Sequence, residues 1–157
     1  MRPARTNMRP ARKNMRTIRT DLRAVIDTGI FVSALIRRRG TIGSVLRALR
    51  DGRFTAIYTT DMLVEIIDVL GRDRMRVKYH IQPEDVSALI HLIRLRGELV
   101  IPNQKVRACR DPTDDKFLEA ALVEGADCIV SGVADLVDMG SFEGIPILRP
   151  GEFLAQL

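Results

Sequence analysis

From residue 22 onward, short apolar runs alternate with amphipathic stretches of helical period. Residues 22–27 (LRAVID) read as a strand, and 30–36 (IFVSALI) begin a helix. Residues 41–52 continue helical to Gly52, and 54–59 (FTAIYT) form the second strand. In the helix expected over 61–71, Leu63, Ile66, Ile67 and Leu70 recur at helical spacing, with a stop near Gly71. Residues 73–79 suggest a short basic helix. Pro83, Glu84 and Asp85 open another, since proline suits a first turn and the helix dipole favours acids there. That helix runs to Gly97, and 98–102 (ELVIP) is the third strand. Asp111 is a plausible N-cap for a helix over 112–125, with Pro112 in its first position. A strand at 128–131 (CIVS), a short helix at 134–139, a strand at 145–148 (IPIL) and a turn at 151–156 complete the chain.

Strands alternating with helices predict an α/β fold, a three-layer α/β/α sandwich around a central, mainly parallel sheet of four to five strands. The runs AVI, CIV and IPIL are apolar without alternation, as strands covered on both faces should be. The chain's 157 residues, 46% hydrophobic and 29% charged, suit one domain with a proper core and no staples. Cys109 and Cys128 lack CxxC spacing and read as reduced thiols. No apolar run approaches the roughly 18 residues of a membrane span. A cytoplasmic protein without a membrane partner is therefore expected.

The net charge of +5 is unevenly placed. Residues 1–23 carry eight basic groups against the single acid Asp21, and the remainder is slightly acidic. Residues 1–21, with the tandem heptad MRPARTN and MRPARKN, read as a basic, disordered tail preceding a domain over 22–157. Such a tail is either an extension without a role or an arm that attracts phosphate backbones.

Acids from three separate segments could converge. Parallel sheets bind ligands at the carboxyl ends of their strands. Asp27 ends its strand, followed by Thr28, Gly29 and a helix. Ser131-Gly132 ends another, with Asp135 just after. Glu65 lies at the margin of its helix's apolar face. Asp114 and Asp115 head the buried stripe of Phe117, Leu118, Ala121 and Leu122, while Lys116, Glu119 and Val123 should face outward. Each acid also has a local explanation: Asp27 as a helix cap, Glu65 as a solvated residue, Asp111 and Asp114 as caps. Converging carboxylates repel one another, and a divalent cation relieves them. Oxygen ligands favour Mg²⁺ or Mn²⁺.

Four stretches together resemble the PIN-domain family, in particular toxin components of bacterial toxin–antitoxin systems: AVIDTGIFVSALI (24–36), TTDMLVEIIDVL (59–70), CRDPTDDKFLEAALVEGADCIVSG (109–132) and FEGIPILRPGEFL (142–154). The resemblance implies a parallel-sheet sandwich and metal-dependent cleavage of single-stranded RNA that leaves a 5′-phosphate. It assigns Asp27, Glu65 and Asp115 to catalysis and to Mg²⁺ or Mn²⁺, and Thr28 and Ser131 to orienting ligands or water. It implies single-stranded RNA and a cognate antitoxin as partners, and a homodimer is the expected assembly. Arg37, Arg38 and Arg39 either contact phosphates or form a solvated loop.

Two positions depart from the family. Gly29 stands where asparagine is usual. Val133 stands where a fourth acid is usual, and valine cannot hold a metal. Asp135, two residues on, is the acid expected to stand in. The alternative is a catalytically weak or inactive PIN fold that binds RNA or an antitoxin. A haloacid-dehalogenase-type phosphatase would want a second aspartate where Gly29 stands, and no phosphate-cradling glycine motif follows any strand.

Overall fold

The computed structural model describes residues 22–157; the basic segment over 1–21 and the expectation of disorder there lie outside the described residues. The observed elements are β1 (Arg23–Ile26), α1 (Thr28–Ile36), α2 (Gly40–Arg50), β2 (Thr55–Tyr58), α3 (Thr60–Leu70), α4 (Asp73–Tyr79) and α5 (Pro83–Arg96). They continue with β3 (Gly97–Leu99), α6 (Asp115–Glu124), β4 (Cys128–Val130), α7 (Ala134–Val137), β5 (Ser141–Phe142), β6 (Ile145–Leu148) and α8 (Pro150–Leu154). A 3₁₀ turn over Pro112–Asp114 precedes α6.

The sheet has six strands in the order β3-β2-β1-β4-β6-β5. All neighbours are parallel except β5 and β6. The α/β sandwich expected from the alternation is what forms, with one strand more than its four to five. That strand, β5, is two residues long. It returns through Glu143 and Gly144, both at positive φ (48° and 84°), as a two-residue primed turn requires.

The central strands are covered on both faces. Ala24, Val25 and Ile26 of β1 are fully buried, as are Ile129 and Val130 of β4. Helix α6 lies on β1, β2 and β4, while α1 packs on α2 and α3, and α2 on α5 and α8. Phe54 and Phe153 meet edge to face at 4.9 Å, tying the start of β2 to α8. In α3, Ile66 and Leu70 are buried as the spacing predicts, whereas Ile67 turns outward and is half exposed.

Strand β3 starts directly from the last residue of α5, one residue earlier than expected, and ends at Leu99. A Cβ at Gly97 would collide with the carbonyl oxygens of Ile93 and Ala56. Only glycine allows the helix end to approach β2 this closely.

The strand order decides where a ligand can bind. From β1 the chain builds outward through β2 to the edge at β3, then returns to place β4 on the other side of β1. The order reverses between β1 and β4. A crevice opens outside the carboxyl ends at such a switch point, and the residues directly after these two strands are Asp27 and Ser131.

Candidate functional site

Asp27 follows the last residue of β1 and caps α1. Its backbone amide continues the sheet by donating to the Val130 carbonyl at 2.9 Å. Its Oδ1 accepts the Gly29 amide at 2.8 Å. Its Oδ2 accepts the Ser131 hydroxyl at 2.8 Å. Ser131 is fully buried, and its Oγ in turn accepts the Val133 amide at 2.9 Å. Asp27 is therefore both the cap that its local context suggested and one half of a buried pair across the switch point.

Thr28, also buried, donates its hydroxyl to Glu65 Oε1 at 2.9 Å. Helix α3 starts at the carboxyl end of β2, capped by Thr59 through the Met62 amide, and so carries Glu65 to the same rim. The structure thus brings Asp27, Thr28, Glu65 and Ser131 together through two hydroxyl bridges.

Burial strips water from Asp27 and raises its carboxyl above the ordinary range. The Gly29 and Ser131 hydrogen bonds pull it back down, and the negative charge of Glu65 pushes it up. Asp114 is raised too, first by burial and then by the charge of Asp27. Asp114 is thus the third carboxylate here, and it feels the charges of both Asp27 and Glu65.

Asp115 does something different. It lies buried at the start of α6, and its Oδ1 accepts the amides of Ala108 at 3.1 Å and Cys109 at 2.8 Å. Burial would raise its carboxyl. The Cys109 and Ala108 amides and the Cys109 thiol outweigh this and leave it lowered. The carboxylate expected as a third metal ligand spends one oxygen holding the 108–109 backbone. The α-helix starts only at Asp115, and Asp114 closes a 3₁₀ turn that winds by roughly 120° per residue instead of 100°, so Asp114 does not follow an α-helical count from residue 112.

Asp135 is exposed in α7, with its Oδ2 3.7 Å from the Arg110 guanidinium. It shares in none of the hydrogen bonds around Asp27. Val133 is partly exposed, and its contribution is the backbone amide that orients Ser131. Arg37–Arg39 follow α1, about 15 Å or more along the helix from Asp27 at 1.5 Å per residue, and Arg38 lies 3.8 Å from Asp85.

Lys116, expected to face outward, turns instead toward the acids. Its Nζ lies 3.2 Å from Glu65 Oε1, and its side chain is mostly covered. It also donates to the Thr113 carbonyl. An α-helical count places it outside the buried stripe, and from the first turn of α6 its long side chain reaches Glu65 of α3. The DDK run was visible in sequence; the direction of its lysine was not.

An open cleft of about 960 Å³ lies beside the pair, with Glu65, Asp115 and Lys116 in its wall and Arg72, Lys105 and Arg107 around it. Glu65 connects the buried Asp27 to this cleft. Among the described residues, no three histidine, cysteine, aspartate or glutamate side chains are grouped to hold a metal ion by themselves. The donor chemistry still fits a hard cation. Mg²⁺ typically keeps several waters and takes one or two carboxylates, together with substrate phosphate. Asp27 and Glu65 supply two carboxylates whose charges oppose each other.

Cys109 and Cys128 are free. Burial, and for Cys109 the neighbouring Asp115, pushes both thiols up to about 12, so neither is a nucleophile at neutral pH. Among the described residues, no helix is long and apolar enough to cross a membrane.

A family model described as "PIN domain" matches residues 23–132, well over half of the chain. The chain is also similar to an uncharacterized protein of Methanocaldococcus jannaschii, 28% identical over 115 residues that cover 73% of each chain.

Proposed function

Because this chain belongs to the PIN-domain family, a nuclease-type fold, we propose that it is a metal-dependent ribonuclease cleaving single-stranded RNA. The observation that carries this reading is the Ser131–Asp27 and Thr28–Glu65 arrangement at the switch point between β1 and β4.

Asp27 and Glu65 would hold Mg²⁺ or Mn²⁺ directly, with Asp114 acting through water. The resemblance assigns Asp115 to this set; its hydrogen bonds to the 108–109 backbone favour a supporting part instead. A bound divalent cation supplies a water of lowered pKa and neutralises charge on a scissile phosphate. Ser131 fixes the orientation of the Asp27 carboxylate, and Thr28 fixes that of Glu65. Lys105, Arg107 and Arg72 stand along the cleft, where an RNA backbone can lie. In this reading the protein is the toxin of a toxin–antitoxin pair in the cytoplasm, a homodimer with a cognate antitoxin as its protein partner.

The test is cleavage of a single-stranded RNA with Mn²⁺, comparing wild type with Asp27→Asn. Wild type should yield 5′-phosphate ends, and the variant should lose at least about 100-fold in rate, or ~2.7 kcal/mol. Equal cleavage by both proteins would assign the activity to a contaminant and end the proposal.

A second reading is favoured by one specific observation. Position 133, where an acid is expected, is valine, and the nearby Asp135 pairs with Arg110. The chain would then be a catalytically weak or inactive fold that keeps RNA or antitoxin binding.

A further inference from the structure

Lys116 is the cation already present among these carboxylates. Its Nζ is 3.2 Å from Glu65 Oε1, the same oxygen that accepts the Thr28 hydroxyl. Its stem passes the Phe117 ring, with the ammonium 5.0 Å from the ring centre. Its positive charge opposes the repulsion among Asp27, Asp114 and Glu65, acting on both aspartates. The exposed pairs Arg72–Asp68 and Arg76–Asp73 join residues three or four apart in sequence and contribute little. Lys116–Glu65 instead joins α6 to α3 across the cleft wall, with the lysine side chain only 20% exposed. It sits where like charges meet.

We infer that Lys116 is a built-in counter-cation that holds Glu65 and yields it when a divalent ion binds. This rests on the reading that Asp27 and Glu65 receive the ion. An ammonium and a divalent cation compete for the same oxygen of Glu65. Metal entry must first break the Lys116 pair, so the lysine lowers metal affinity. In exchange, it prevents an unfilled acidic cluster from repelling itself apart. Once displaced, the ammonium remains on the cleft wall. Lys116 is thus a positioning residue that acts through Glu65.

The test is Mn²⁺ titration, read by the electron-spin signal of the free ion, on the whole chain without RNA. Wild type, Lys116→Met, Lys116→Arg and Asp27→Asn are compared. Methionine keeps the stem and removes the charge, and arginine keeps the charge. Lys116→Met should bind Mn²⁺ about tenfold more tightly, a ~1.4 kcal/mol change. It should also lose thermal stability in metal-free buffer and regain it with Mn²⁺. Lys116→Arg should resemble wild type, and Asp27→Asn should bind poorly. Should the methionine variant fail to fold, Lys116→Gln takes its place. Unchanged or weaker Mn²⁺ binding by the neutral variant overturns the inference while leaving the site reading intact. If Asp27→Asn binds as well as wild type, the site reading itself fails, and this inference with it.

Discussion

The Ser131 hydroxyl donates a 2.8 Å hydrogen bond to Asp27 Oδ2, joining the ends of two adjacent parallel strands that lie 104 residues apart in sequence. The bond is fully buried at the serine. It fixes one carboxylate oxygen while the Gly29 amide fixes the other. Asp27 therefore enters any chemistry already oriented, and four consequences of this arrangement can be measured.

The first concerns Asp27 and pH. Burial holds its carboxyl above the ordinary range, further raised by Glu65. A carboxyl that keeps its proton more tightly when folded than when unfolded makes stability fall with rising pH. The fall begins at the unfolded value, about 3.9, and continues through the folded one; above that the full penalty remains. At pH 7 without metal, Asp27→Asn should therefore melt higher than wild type. Each ~1 kcal/mol gained would shift Tm by roughly 2–4 °C. Mn²⁺ should raise the wild-type Tm and leave the variant unmoved. Identical melting curves under all conditions would remove the premise of a strained acidic site.

Asp114 and Asp115 should separate cleanly. Asp115→Ala leaves the Ala108 and Cys109 amides without their acceptor and should cost about 1–3 kcal/mol of stability. In wild type the lowered carboxyl of Asp115 contributes stability above the unfolded carboxyl pKa, and this is lost as pH falls through the folded value. Asp114→Ala should keep or slightly raise Tm and weaken Mn²⁺ binding several-fold. Thermal melts with and without Mn²⁺ decide the matter. The reverse pattern would return the metal-ligand role to Asp115.

Position 133 offers a gain-of-function test. Val133 is 37% exposed, so Val133→Asp should change stability by no more than about 0.5 kcal/mol. Its backbone amide bond to Ser131 would survive. If the missing acid limits cleavage, the substitution should raise the Mn²⁺-dependent rate on single-stranded RNA about tenfold or more, ~1.4 kcal/mol of barrier. An unchanged rate in a folded variant would show that the existing carboxylates suffice.

The thiols should be inert. With both raised to about 12, Cys109 and Cys128 should resist iodoacetamide at pH 7.5 in the folded protein and react once it is denatured. Asp115→Ala, which removes the group bonded to the Cys109 thiol, should speed alkylation of Cys109 alone. Mass spectrometry of the labelled protein reads both residues. Rapid labelling of native wild-type Cys109 would contradict the close Asp115 contact.

The sequence by itself determined the element order, the parallel character of the sheet and the placing of Asp27 and Ser131 at strand ends. These are local properties: an unalternating apolar run signals burial on both faces, and a strand followed at once by a helix signals a turn at the carboxyl rim. Only the tertiary structure decided that β4 lies beside β1, because strand order depends on pairings more than 100 residues apart that no periodicity records. That adjacency turns two separate strand ends into one site. Two-residue β5 was too short for any period to reveal, although its Glu143-Gly144 turn left a trace. The 3₁₀ turn before α6 took Asp114 out of the α-helical count, and the reach of Lys116 to Glu65 is a contact between two helices that its own helix does not reveal. An angular shift of about 20° per residue cannot be read from apolar spacing, which reports the buried face of a helix but not the path of the turn that begins it.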